Sequence, residues 1–223
     1  TLRLAGPTDM GGEFLRWEIA TAIAGAVLGI NPFDEPNVQE SKDNTNRLLK
    51  EYEDTGKLPE PEPDIAEGSI SIYGYRGHTL AEALEDFLAG ARAGDYLAIM
   101  AYVPYDAEVE RPLQEVRLQL RDTLRIATTF GYGPRFLHST GQLHKGGPDN
   151  GMFLQVTYDE PQDMPIPGAP YSFNVLKRAQ ALGDFEALKG RGRRVLRVHL
   201  RGDLPQALGQ LQSVVQDAIK VRS

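Results

Sequence analysis

The chain has no cysteine, which excludes disulfide staples and thiolate metal sites. No apolar run is long enough to span a bilayer and no signal-peptide pattern is present, so a soluble, cytoplasmic protein without membrane partners is expected. A basic excess is missing too. The formal net charge is -7 and no basic, aromatic-interleaved patch occurs, which argues against nucleic acid as a partner. An anionic small molecule stays open, because local charge decides such a site. There is no Gly-x-x-x-x-Gly-Lys-Ser/Thr phosphate loop, no dinucleotide fingerprint between a strand and a helix, and no Gly-x-Ser-x-Gly elbow. These absences count against nucleotide hydrolysis, hydride transfer and serine hydrolysis. No cofactor and no metal are expected: His138 and His144 lack the i, i+4 spacing of a helical ligand pair, and no acidic residue stands at a ligand-like spacing nearby.

What is present is an ordinary globular composition over 223 residues, enough for one full core, with or without an appendage. The chain opens without methionine on Leu2-Arg3-Leu4, a strand-like start that suits a piece of a longer protein or a processed terminus. Residues 12–30 read as a helix apolar almost all round, carrying Phe14, Leu15, Trp17, Ile19, Ile23 and Val27. Such a helix is expected in a core, covered by a sheet and other helices. Residues 37–55 read as a polar helix with a thin stripe of Val38, Leu48, Leu49 and Tyr52. An extended Pro/Glu linker follows over 57–68.

From there strands and helices alternate. Strands are expected at 69–75, 96–103, 135–137, 152–158 and 195–200; helices at 79–92, 107–129, 173–188 and 204–219. Thr79 and Glu82 are spaced as a capping box. The pattern predicts an α/β fold: a three-layer parallel sheet flanked by helices and preceded by a helical segment. The expected division is a helical segment over 1–56, the linker over 57–68 and the α/β domain over 69–223. In such sheets ligands sit beyond the carboxyl ends of the strands, which points to the loops at 76–79, 104–106, 138–150 and 201–203.

Two stretches concentrate polar groups. The first is Asn31-Pro32-Phe33-Asp34-Glu35-Pro36-Asn37-Val38-Gln39-Glu40-Ser41-Lys42. Its prolines stop one helix, and carboxylates, an amide and a lysine gather where the next begins. That is either a small-molecule site or a helix–helix corner capped by Asp34 or Asn37. The second is 137–151, with His138, Ser139, Thr140, Gln142, His144 and Lys145 among glycines. Ser139 and Thr140 can open a helix whose free N–H groups favour an anion, and a histidine there exchanges protons near neutral pH. The alternative is a mobile surface loop. His199 alternates with apolar residues and reads as a satisfied core histidine.

The run from Gly29 to Lys42 resembles the C-terminal signature of phosphoglucose isomerases, an Asn-Pro-Phe-Asp-Gln-Pro-Gly-Val-Glu type sequence leading to a catalytic lysine. It is most similar to the isomerase half of fused transaldolase/phosphoglucose isomerase proteins. The resemblance places Lys42 on the family's active-site lysine, near the sugar O1 and ring oxygen, and Glu35 where the family usually has glutamine. Phe136-Leu137-His138-Ser139-Thr140-Gly141-Gln142 resembles the Leu-His-Ser-x-Gly-Gln run of the bacterial enzymes, whose histidine opens the sugar ring from the neighbouring subunit. His138 is the matching position.

In the family the histidine run precedes the lysine run, and here it follows. A rearranged sugar-isomerase (SIS) unit after the usual end accounts for this order; so does chance similarity of a short motif. The resemblance implies a SIS-like fold, a homodimer, and interconversion of glucose 6-phosphate and fructose 6-phosphate. Lys42 and His138 would be catalytic, and Glu35, Ser139, Thr140, Gln142, His144 and Lys145 would contact substrate. The family's glutamate base and its Ser/Thr-rich phosphate loop are missing, so a partial site with little turnover of its own is expected. The alternative is a non-catalytic sugar-phosphate-binding or dimerisation module.

Overall fold

A computed structural model describes residues 3–75 and 77–220. The chain divides into two compact units, one ending at Pro36 and the other beginning at Asn37. Arg3 and Leu4 are irregular, and Leu2 lies outside the described residues.

The first unit is built on α1 (Asp9–Leu28). Its end is made by Gly29, whose φ of 69° takes the left-handed conformation that glycine adopts without a Cβ penalty. The Gly29 and Ile30 N–H groups close on the carbonyls of Ala26 and Gly25. The chain then folds back so that a Cβ at Gly25 would stand 2.5 Å from the Pro32 ring. Gly29 rather than Pro32 therefore stops this helix, and Pro36 starts the next one as its first residue, where its missing N–H costs nothing. The expectation of a core helix is not met. Only Gly25 is buried, while Trp17 and Val27 are 61% and 81% exposed, because this unit has no sheet of its own to cover them.

The second unit begins with α2 (Pro36–Thr55), whose Leu48 and Leu49 pack on Ala179 and Leu182. Those partners belong to α6 (Phe173–Gly190). Residues 37–56 thus join the α/β domain instead of forming a helical segment with α1, since α2's apolar stripe finds its partner there. The stretch expected to be a linker is also part of this unit. It contains β1 (Ile65–Glu67), and Glu60 is paired with Arg178 and Arg197.

The sheet adds β2 (Ile70–Tyr73), β3 (Tyr96–Tyr102), β4 (Ala127–Tyr132), β5 (Gly151–Tyr158) and β6 (Arg194–Leu200). Its order is β1-β2-β6-β5-β3-β4. The four strands β6, β5, β3 and β4 run parallel, while β1 and β2 are antiparallel additions at one edge. One face is covered by α3 (Leu80–Ala89), α4 (Ala107–Leu124) and α7 (Leu204–Lys220) around Phe87, Leu113, Leu154, Val198 and Leu211. The other face carries α6 and α5 (Ser139–Gly146), over Tyr102, Phe136, Phe153 and Phe185. This is the expected three-layer α/β architecture, with a mostly parallel sheet. Among the described residues no helix is long and apolar enough to cross a membrane.

Four local expectations change. The 107–129 helix ends at Leu124 on Arg125, which takes a left-handed φ of 52°. The residues after it form β4, while 135–137 is a 3-10 turn rather than a strand. The 76–79 loop follows the antiparallel β2, so it lies at the amino ends of the parallel strands and leaves the set of ligand loops; Arg76 lies outside the described residues. The cap at α3 is present in shifted form. Thr79 Oγ1 accepts the Glu82 N–H at 3.2 Å, but Glu82 accepts from His78 N–H, one residue earlier than in a capping box.

Candidate functional site

A cleft of about 370 Å³ opens in the second unit, within the size range of small-molecule sites. One wall is a single face of α2, where Val38, Ser41, Lys42, Thr45, Asn46 and Leu49 recur at helical spacing. The opposite wall is the connection after β4, with Pro134, Leu137 and His138. Tyr171, Leu176 and Gln180, on α6 and just before it, close the third side. His138 thus stands beyond the carboxyl end of a parallel strand, where ligands bind in open α/β sheets.

Lys42 and His138, singled out in two separate stretches, face the same cleft and are both exposed to solvent. The apolar lining of Val38, Leu49, Leu137 and Leu176 gives the floor a hydrophobic character against which these two heads stand out. Ser41 and Thr45 donate their hydroxyl protons back along α2, to Asn37 O at 3.1 Å and Ser41 O at 2.9 Å. Toward a ligand they therefore offer oxygen lone pairs. None of the lining residues is a carboxylate.

The other expected site residues are placed differently. Glu35 belongs to the first compact unit and is exposed. Ser139 and Thr140 do open a helix, α5, but they face solvent and do not line the cleft. Gln142 is structural. Its Oε1 accepts the Asn37 N–H at 2.9 Å, satisfying a donor that the first turn of α2 leaves without an intrahelical acceptor. Neither Asp34 nor Asn37 takes that N–H, and the Asn37 amide donates to Glu40 instead. Gln142→Ala is expected to cost about 1 kcal/mol in urea denaturation, and Gln142→Glu, which keeps the acceptor, to recover most of it.

His144 and Lys145 are a correction to the expected substrate contacts. Both are buried, because α5 lays this face on the sheet and α6. His144 packs among the rings of Tyr96, Phe136 and Phe153. Burial and then the Lys145 charge push its pKa down to about 4. Lys145 pairs with Asp184 of α6, with side chains 0% and 1% exposed. His138 and His144 therefore look into different environments and do not converge on a common ligand. His199 is satisfied, as expected, by Thr157 at Nδ1 and Asp159 at Nε2.

The sequence reading missed Ser41, Thr45, Asn46, Tyr171 and Gln180. For the α2 residues a signal existed, since they lie within one helical turn of Lys42 along one face. Tyr171 and Gln180 reach the cleft only through the packing of α6 on α2.

No family model matches the chain, and no curated protein does. Among solved structures it is similar to the crystal structure of hypothetical protein TT0462 from Thermus thermophilus, with a TM-score of 0.53 and 21% identity. The likeness covers 63% of this chain and 38% of that one. At this identity it bears on the fold alone.

Proposed function

We propose that this cleft is part of a phosphoglucose isomerase site, interconverting glucose 6-phosphate and fructose 6-phosphate through an enediol. One observation carries the reading: the lysine and the histidine of two independent family-like motifs line one cleft. His138 would move a proton between the ring oxygen and O1 as the sugar opens, and the Lys42 ammonium would stabilise negative charge developing at O1. Ser41 and Thr45 accept hydrogen bonds from sugar hydroxyls. Proton transfer between C1 and C2 requires a carboxylate base, and the lining holds none. The chain therefore supplies part of a site within a longer, cytoplasmic, transaldolase-fused parent that would be a homodimer, with His138 acting on the same cleft as Lys42 of its own chain.

The test is the isomerase rate of the full-length protein. Lys42→Ala and His138→Ala are each expected to lower kcat/KM by about 100-fold or more, with the His138 variant recovering when open-chain substrate is supplied. Wild-type rates in both variants would refute the proposal. The missing carboxylate also favours a second reading, a sugar-phosphate-binding or dimerisation module without turnover. Calorimetry with fructose 6-phosphate beside the isomerase assay separates the two, since binding without turnover in the full-length protein favours the module.

A further inference from the structure

A second basic centre lies at the carboxyl ends of β5 and β6, and none of its residues belongs to the cleft. Arg197 on β6 and Arg178 on α6 converge there on Glu60. One carboxylate oxygen of Glu60 accepts from Arg197 and the other from Arg178. Glu60 comes from residues 58–63, a segment with no regular secondary structure that reaches the pocket as a strap. Burial alone would raise its carboxyl, but the two guanidinium groups hold it below the ordinary value.

Two observations point beyond a closed structural ion pair. The Arg197 side chain is only 3% exposed, yet its Nη1 has no hydrogen-bond partner among the described residues, and neither does Nε of the adjacent Arg178. A buried guanidinium is costly unless its donors are met. The stacked Tyr73 ring, 4.4 Å from the Arg197 guanidinium carbon, answers the charge but accepts none of those protons. Thr157 Oγ1 lies 3.5 Å from Arg197 Nε and Asp159 lies 3.8 Å from Arg178 Nη1. With the two Glu60 oxygens these still leave donors unused, whereas a phosphate offers more oxygens and more charge.

The second observation is position. With Glu60 in place the pocket is closed, at about 10 Å³. It continues through Tyr158, Lys177 and Arg178 into a groove of about 220 Å³ that also takes in Asn174 and the carboxylates of Asp159, Glu160 and Asp163. Both lie where parallel strands end, the usual ligand position in such sheets. His199 is not available to a ligand, being held by Thr157 and Asp159.

We propose that Arg197 and Arg178 form an anion site for a phosphate monoester, and that the Glu60 carboxylate is an intramolecular stand-in which the phosphate displaces. The uncharged body of the ligand would lie in the adjoining groove, where Lys177 is already paired with Glu160 and the Asp159 and Asp163 carboxylates can accept from its hydroxyl groups. Displacement exchanges one charge-assisted pairing for another and frees the 58–63 strap. The site is independent of the cleft, so it stands or falls apart from the isomerase reading.

Inorganic phosphate titrated calorimetrically into the full chain tests the proposal. Glu60→Gln removes the competing charge while keeping the side chain's size. It is expected to bind phosphate at one site about tenfold or more tightly than the wild type, since an attached competitor acts at high effective concentration. Adding Arg197→Met to Glu60→Gln is expected to abolish the gain, and adding Lys42→Ala to leave it intact. No gain in Glu60→Gln, or a gain lost with Lys42→Ala instead of Arg197→Met, overturns the proposal. Should Glu60→Gln not fold, amide exchange of the wild-type chain decides. Faster exchange of the Glu60 amide, which is bonded to the Leu58 carbonyl at 2.8 Å, in phosphate supports displacement, and its unchanged exchange at saturating phosphate overturns it.

Discussion

Replacing Lys145 by methionine is expected to destabilise the second unit by about 3–5 kcal/mol in urea, because it leaves the Asp184 carboxylate buried without its counter-charge. The two side chains are 0% and 1% exposed and form an ion pair between α5 and α6. Burial pushes the Asp184 carboxyl above its ordinary range even against the pull of the Lys145 ammonium, so without that ammonium the group would have to take up a proton or open to water. Asp184→Leu is expected to cost a similar amount for the mirror reason, a buried ammonium without an anion. The double variant Lys145→Met/Asp184→Leu removes both desolvation costs and should return to within about 1 kcal/mol of the wild type, or exceed it. A single-variant loss below about 1 kcal/mol would mean that the pair is open to solvent, contrary to its burial. The cycle also isolates the coupling energy, which single substitutions cannot do. Since α5 carries Gln142 and directly follows His138, the same pair holds the histidine side of the cleft in register with α2.

A second large effect is expected from pH. His144 is held neutral by burial and by the neighbouring Lys145 charge, with a folded pKa of about 4 against an ordinary 6.5. Between those values the unfolded chain binds a proton that the folded chain does not. Stability is therefore complete above pH 6.5 and falls as the pH drops toward 4, by about 3 kcal/mol in all. His144→Leu keeps the packing against Tyr96, Phe136 and Phe153 and removes the titrating ring. Urea midpoints measured from pH 7 to pH 4 should slope downward for the wild type and much less for the variant. Equal slopes would show that the imidazole is not what acid attacks. The ion-paired carboxylates whose pKa is lowered, Glu40, Glu60 and Asp95 among them, lose their contribution only as the pH falls through and below the ordinary carboxylate range, so the upper part of the window belongs to the histidine.

The buried strands were legible because the physics that buries them writes itself locally. Residues 96–103 are a continuous apolar run and residues 152–158 a mainly apolar stretch interrupted by Gln155 and Thr157, and these become the interior strands β3 and β5. Strand β4 was illegible for the complementary reason. As an edge strand with Ala127 and Thr129 exposed and Thr128 only partly covered, it needs no hydrophobic run, and its start continues the helical pattern before it. Helix α1 shows the limit of composition: an apolar sequence states that a surface needs a partner, but not that this unit contains one. The cleft was half legible. Lys42 and His138 stood out by chemistry and by motif resemblance, while Ser139 and Thr140, equally polar, are exposed and do not line it.

By itself, then, the sequence determined the α/β class, the order of most elements and the two side chains that bring reactive groups to the cleft, since periodicity and residue chemistry are local properties. Only the tertiary structure decided that α2 lies on α6, that Lys42 and His138 share a wall-to-wall space, that His144 and Lys145 are buried, and that Glu60 occupies a pair of arginines far along the chain. Each of these depends on which faces meet across long sequence separations, and no local pattern encodes the partner of a face.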